Sequence, residues 1–193
     1  MSRILSFPNF GRMKVYDLNN RVDMTSIRQD FKTLPVEKQA ITHFQHKKPY
    51  TFTRLTDNIL YPEYLPSDVI QIARLLQIYT NVADVQGNGT LSIEAQRITC
   101  TPGQNNTISC NEWKNKTILN AGIMCVNQCN IQGGIYEFNA DAADNEQNKM
   151  SLTLRPGQMV VFDSNEVQHH VTPIASKNGK TGGYRDILFF SFQ

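Results

Sequence analysis

Hydrophobic positions change their spacing along this chain, and the change divides it into two textures with no linker between them. Residues 13–18 alternate apolar with polar, the period of a half-buried strand. Ile27, Phe31 and Leu34 then recur at helical spacing within residues 24–34. Pro35 stops that helix, because its ring clashes with the preceding turn and it donates no hydrogen bond. Alternation returns over residues 50–55 and predicts a second strand. The strongest helix follows: Ser67-Asp68 offers an N-cap, and Val69, Ile70, Ile72, Ala73, Leu75, Leu76, Tyr79 and Val82 build a wide apolar face suited to packing across a sheet.

From Gly87 onward short β-like runs separated by turn chemistry replace that mixture. Runs at 91–100, 118–127, 135–138, 150–154, 159–163, 168–174 and 185–192 read as strands, punctuated by Gly133-Gly134, Pro156-Gly157 and Gly182-Gly183. The Gly133-Gly134 pair suits a turn that requires positive φ. Strand after strand with no helix between predicts a mainly β fold with flanking helices, a double-stranded β-helix or jelly roll. One domain is expected, with residues 1–86 as helices and short strands packed on the sheet and residues 87–193 as the jelly-roll core. The polar, mostly acidic stretch 141–149 predicts a loop at one mouth of the sandwich.

A chain of 193 residues buries a core without disulfide staples. Its 19 basic and 17 acidic side chains are scattered and leave a net charge of +2, which implies neither nucleic acid nor a membrane surface as partner. His46-Lys47-Lys48 is expected to be a solvated turn. The opening residues lack the apolar centre of a signal peptide, and no apolar run approaches the roughly 18 residues of a membrane helix. A soluble, cytoplasmic protein is expected. Cys100 and Cys110 flank a turn-rich segment, and Cys125 and Cys129 bracket a strand end; neither pair has C-x-x-C spacing, which predicts free, mostly buried thiols. There is no phosphate loop and no nucleophile elbow.

Candidate chemistry gathers near the C-terminus. His169 stands in Gln168-His169-His170-Val171-Thr172-Pro173-Ile174, and Arg185 opens the next strand in Tyr184-Arg185-Asp186-Ile187-Leu188. A non-haem iron site needs two neutral imidazoles and a carboxylate on one face. An arginine fork suits an acidic cosubstrate, which it grips bidentately. Strand alternation turns His170 away from the face that His169 uses. Asp163 and Asp186 are alternative partners for Arg185, and Arg54 and Arg97 either form buried ion pairs or line the pocket.

This arrangement resembles the C-terminal signature of the Fe(II)/2-oxoglutarate dioxygenase family, whose free-amino-acid hydroxylases include bacterial L-isoleucine dioxygenase. Gln96-Arg97-Ile98, the Asn127 to Gly134 turn and the stretch from Tyr50 to Arg54 are similar to further parts of that family, so the resemblance runs from Tyr50 to the C-terminus. It implies that His169 is an iron ligand. It implies equally that Arg185, with Thr172 of the same motif, holds the distal carboxylate of 2-oxoglutarate.

The family's H-x-D iron motif is the point of departure. Counting thirteen residues back from Asn127 lands on Lys114-Asn115-Lys116, beside Trp113. Lys114 and Lys116 thus stand where the resemblance implies the catalytic site's other iron ligands, histidine and aspartate. On a strand both would point to one side and put two positive charges where a divalent cation sits; the alternative is a solvated loop outside the pocket, since the preceding turn is Asn-rich. His43 and His46 are far off in the N-terminal part, and Glu112 is the nearest carboxylate. The expected function is a dioxygenase-family protein with a lost or altered iron site, binding 2-oxoglutarate, another small anion, an amino acid or a protein. Two alternatives stand beside it. One is an oxygenase that hydroxylates an amino acid with Fe(II) on His169 and Glu112 or an outside ligand; the other is a structural protein, as a homodimer through sheet edges.

Overall fold

A computed structural model describes residues 5–7, 10–11, 13–32, 39–47, 51–55, 69–103, 120–140 and 148–193. In chain order the elements are β1 (Leu5–Ser6), β2 (Lys14–Asp17), α1 (Met24–Phe31), β3 (Gln39–Lys47), β4 (Thr51–Leu55), α2 (Val69–Val82), β5 (Gly89–Cys100), β6 (Asn120–Cys129) and β7 (Ile131–Gly133). They continue with β8 (Tyr136–Asn139), β9 (Lys149–Leu152), β10 (Gln158–Asp163), β11 (Gln168–Val171), β12 (Ile174–Ser176) and β13 (Gly183–Phe192). One large sheet has the order β1-β2-β10-β6-β13-β5-β3-β4; a smaller sheet runs β11-β8-β9, and β12 pairs with β7. Antiparallel sheets in this non-sequential order, wrapped face to face, make a jelly roll.

Alternation along the strands gives the large sheet two apolar faces. On one, α1 and α2 bury Ile27, Phe31, Leu75, Leu76 and Tyr79 with Leu91, Ile93, Met124, Val126, Leu188 and Phe190. Each fully buried Leu or Phe of this kind contributes about 1.5–3 kcal/mol. Tyr79 stacks on Phe190 at 5.3 Å, and its hydroxyl donates to the Asn120 carbonyl at 2.7 Å. The other face is the interior of the roll, where Ala121, Ile123, Cys125, Val160 and Phe162 meet Tyr136, Phe138 and Val171 of the smaller sheet. In β13, Leu188, Phe190 and Phe192 serve the helix side while Phe189 packs on the interior. The same parity sends Arg185 and Ile187 inward and Asp186 toward the helices.

Several elements differ from expectation in instructive ways. The first helix is observed as Met24–Phe31, begun by Asp23, whose Oδ1 accepts from the N–H groups of Thr25 and Ser26 at 2.9 and 3.1 Å. Leu34, Pro35, Ser67 and Asp68 lie outside the described residues. The run 168–174 is two strands, because Thr172-Pro173 interrupts it and proline has no N–H for a ladder; β11 joins the small sheet and β12 joins β7. His46-Lys47 is no turn but the end of β3, and His46 is 1% exposed, its ring 6.2 Å from that of Phe192. β3 escaped notice because its sequence, QAITHFQHK, has no clear apolar alternation. Cys100, Cys125 and Cys129 are free, the first two buried; Cys110 lies outside the described residues. Among those residues no helix is long and apolar enough to cross a membrane.

Candidate functional site

β13 carries Arg185 to the interior face, opposite Ile98 of β5 and Gln128 of β6. The residue is 1% exposed. Nη1 donates to the carbonyl of Gly134, Nη2 donates to Oε1 of Gln128 at 3.3 Å, and Nε is buried without a partner among the described residues. The guanidinium carbon lies 5.8 Å from the centroid of the Tyr136 ring, within reach of its negative face. Gly134 makes this crowding feasible. Its φ is +63°, and a Cβ there would stand 2.8 Å from Cζ of Arg185. Glycine supplies both the backbone and the space.

Thr172 secures that glycine from behind. Its N–H donates to the Ile135 carbonyl at 2.9 Å, its Oγ1 accepts from the Ile135 N–H at 2.9 Å, and the Gly134 N–H donates to the Pro173 carbonyl at 3.1 Å. The threonine expected beside the cosubstrate is therefore engaged with the backbone next to Arg185's carbonyl partner. Its hydroxyl proton remains for a further acceptor.

β11 places His169 opposite Phe138 and His170 opposite Glu137. The His169 ring lies 5.0 Å from that of Phe162 and 6.3 Å from that of Phe138. Burial among these rings, with a smaller push from His170, holds its pKa down to about 4. The imidazole is thus neutral near pH 7, with the free lone pair that a metal ligand needs. His170 turns to the other side, where Nδ1 is 3.1 Å from Oε2 of Glu137. The inner face of β8 connects the two candidate groups: Phe138 meets His169, Tyr136 meets Arg185, and the two rings are 6.4 Å apart.

Asp186 does not partner Arg185. It faces the helix side and takes Arg97 bidentately, with Nε to Oδ1 at 2.7 Å and Nη2 to Oδ2 at 2.9 Å. Burial pushes the Asp186 carboxyl up and Arg97 draws it back, while the same bond raises the Arg97 guanidinium. The bidentate geometry makes this an ion pair, so Arg97 is the partly buried partner of Asp186 rather than a pocket wall. Cys125, beside Arg185 on the interior face, is lifted to about 11 by burial against the opposing pull of Arg185, and stays a neutral thiol.

Lys114, Lys116 and Glu112 lie outside the described residues. Among those that are described, no three His, Cys, Asp or Glu side chains form a group able to hold a metal ion. The described residues fit an acidic ligand better: Arg185 is a buried cation with a bare Nε. Gln128, Gly134 and Tyr136 are its neighbours, and sequence reasoning missed that role for all three. The β6–β13 register reveals it for Gln128, and the packing of the guanidinium reveals it for Gly134 and Tyr136.

The sequence model of a family described as 2OG-Fe dioxygenase matches residues 36–191. No curated protein matches the sequence. Among solved structures, the fold is similar to TqaL, an Fe(II)/(alpha)ketoglutarate-dependent dioxygenase, with a TM-score of 0.73 at 12% identity over 95% of this chain and 82% of that one. It is also similar to IDO from Bacillus thuringiensis, with a TM-score of 0.70 at 16% identity over 88% and 85%. A third likeness is EvdO2 from Micromonospora carbonacea var. aurantiaca, solved with 2-oxoglutarate, at 0.51 and 11% identity over 100% and 94%. At such identities structural likeness speaks for the fold alone, whereas the match over residues 36–191 carries the family: the chain belongs to the 2OG-Fe dioxygenases.

Proposed function

We propose that this protein binds a small dicarboxylate of the 2-oxoglutarate kind at Arg185, and does so without an ordinary ferrous centre. The observation that carries the first half is the buried guanidinium whose Nε has no partner. A cation so placed is costly unless an anion accompanies it. The second half rests on Lys114 and Lys116 at the positions matched to the family's H-x-D motif. Ammonium groups carry no lone pair at neutral pH, so the donor set does not fit ferrous iron, and the same two charges favour an anion. With this reading go a single domain acting in the cytoplasm, an acid or amino acid as ligand, and sheet edges free to pair in a homodimer.

Calorimetry with 2-oxoglutarate in EDTA tests it. Binding is expected in the chelator, and Arg185→Gln and Lys114→Ala should each weaken it. No heat in the chelator, with Arg185 intact, would sink the proposal. A second reading draws support from the neutral His169 ring: an amino-acid oxygenase with a rearranged site on His169 and Glu112 or an outside ligand. Bound iron would supply the oxygen chemistry. Succinate release under Fe(II), oxygen and 2-oxoglutarate distinguishes this reading from the first.

A further inference from the structure

Two arginines on opposite faces of the β5–β13 pair present the same edge to different surroundings. Arg97 offers Nε and Nη2 to Asp186, which fills both at 2.7 and 2.9 Å. Arg185 offers Nε and Nη2 to Gln128 alone: Nη2 reaches Oε1 at 3.3 Å, long for a charged donor, and Nε reaches nothing. The opposite corner of the Arg185 fork is fixed, since Nη1 donates to Gly134 and Cζ is packed against the space that a Cβ on Gly134 would need. The fork therefore cannot turn to offer another edge.

We propose that Gln128 sets how readily a carboxylate docks on the Nε–Nη2 edge of Arg185. This deepens the dicarboxylate reading above and rests on it. Gln128 lies directly across from Arg185 in the β6–β13 ladder and faces the same interior. Its neutral Oε1 occupies half of the edge weakly and yields to a charged oxygen. Turned end for end, its amide then presents Nε2–H to the incoming carboxylate, converting an acceptor for Arg185 into a donor for the ligand. A glutamate at this position would have the same reach and would close the edge with an internal carboxylate, as Asp186 closes that of Arg97. Glutamine keeps the edge poised.

The test compares the parent with Gln128→Glu and Gln128→Leu, by thermal melting without ligand and by calorimetry with 2-oxoglutarate and with succinate in EDTA. Gln128→Glu is expected to melt higher than the parent and to bind either acid at least roughly tenfold more weakly. Gln128→Leu, similar in bulk and without charge, should weaken binding only a few-fold. If Gln128→Glu binds as the parent does, or melts no higher, the inference is overturned while the dicarboxylate reading stands on the parent's own binding. If Gln128→Leu loses as much affinity as Gln128→Glu, charge closure is not the cause and the inference is again overturned. If the parent binds neither acid, the dicarboxylate reading falls and the inference falls with it, however Gln128→Glu melts.

Discussion

Replacing Gly134 by alanine, with Gly179 as control, tests whether Arg185 is held as described. The two glycines have nearly the same backbone, with φ of +63° and +64°, so alanine costs each about 1–2 kcal/mol for entering the left-handed region. Their surroundings differ. A Cβ on Gly179 meets nothing within 4 Å, whereas one on Gly134 would meet Cζ of Arg185 and Cγ2 of Ile174, both at 2.8 Å. Ile174 is 0% and Arg185 1% exposed, so neither has solvent to retreat into. Displacing Arg185 breaks its bond to the Gly134 carbonyl, and a hydrogen bond from a charged group is worth about 1.5–3 kcal/mol. The expected losses in urea denaturation are about 1–2 kcal/mol for Gly179→Ala and about 3–5 kcal/mol for Gly134→Ala. In a chain of this size each kcal/mol moves Tm by about 2–4 °C. Gly134→Ala should also lose affinity for 2-oxoglutarate, and Gly179→Ala should keep it. Losses equal within about 0.5 kcal/mol would refute the packing argument.

Three further outcomes are expected. Arg97→Met leaves the fully buried Asp186 without its counter-charge and should cost about 3–5 kcal/mol in denaturation, with much of the loss recovered when Asp186→Leu is added; a cost under about 1 kcal/mol would put the pair among ordinary surface contacts. His169 has a folded pKa of about 4 against 6.5 for the free ring, so its stabilisation is complete above pH 6.5 and is lost as the pH falls toward 4. The ring is only half-buried, and the loss is at most about 3 kcal/mol; urea titration in EDTA should show the parent losing more than His169→Phe over that range, and equal losses would count against burial as the cause. Lys114→His combined with Lys116→Asp should tighten cobalt(II) binding at least roughly tenfold. No gain would mean that the count from Asn127 assigns the wrong residues.

Much of the fold was legible because most strands from Gly87 onward are apolar runs bounded by their own turn residues, whereas the three-residue β7 was not read at all. The helix at Val69–Val82 was equally plain, since its apolar face is wide enough to need no tertiary context. β3 was not legible, for a strand with polar residues on both faces is specified by its neighbours β4 and β5 rather than by its own pattern. The break at Thr172-Pro173 was present in the sequence and was passed over because the flanking residues are continuous in character. At the candidate site, alternation gave the opposite directions of His169 and His170. Alternation also turns Asp186 away from its neighbour Arg185, but it could not name Arg97 as the partner of Asp186, which only the β5–β13 register supplies.

The ladder on the other side of β13, with β6, holds an irregularity. Along β13, Asp186 pairs with Asn127 and Ile187 with Cys125, so Val126 is an extra residue on β6. In a regular ladder Cys125 and Asn127 would share a face and Gln128 would take the other. The bulge reverses this. Val126 stays buried at 0% exposure on the helix side, and Asn127 donates to the Tyr184 hydroxyl at 3.1 Å. Gln128 is thereby delivered to the interior, against the Nη2 of Arg185. A bulge costs regular pairing and persists where it re-aims a side chain. Here it brings one neutral acceptor to one buried cation, while on the opposite face of the sheet Asp186 meets Arg97 with both carboxylate oxygens. Of these two guanidiniums, the carboxylate satisfies one in full, and the amide leaves the interior one with a donor unpaired among the described residues.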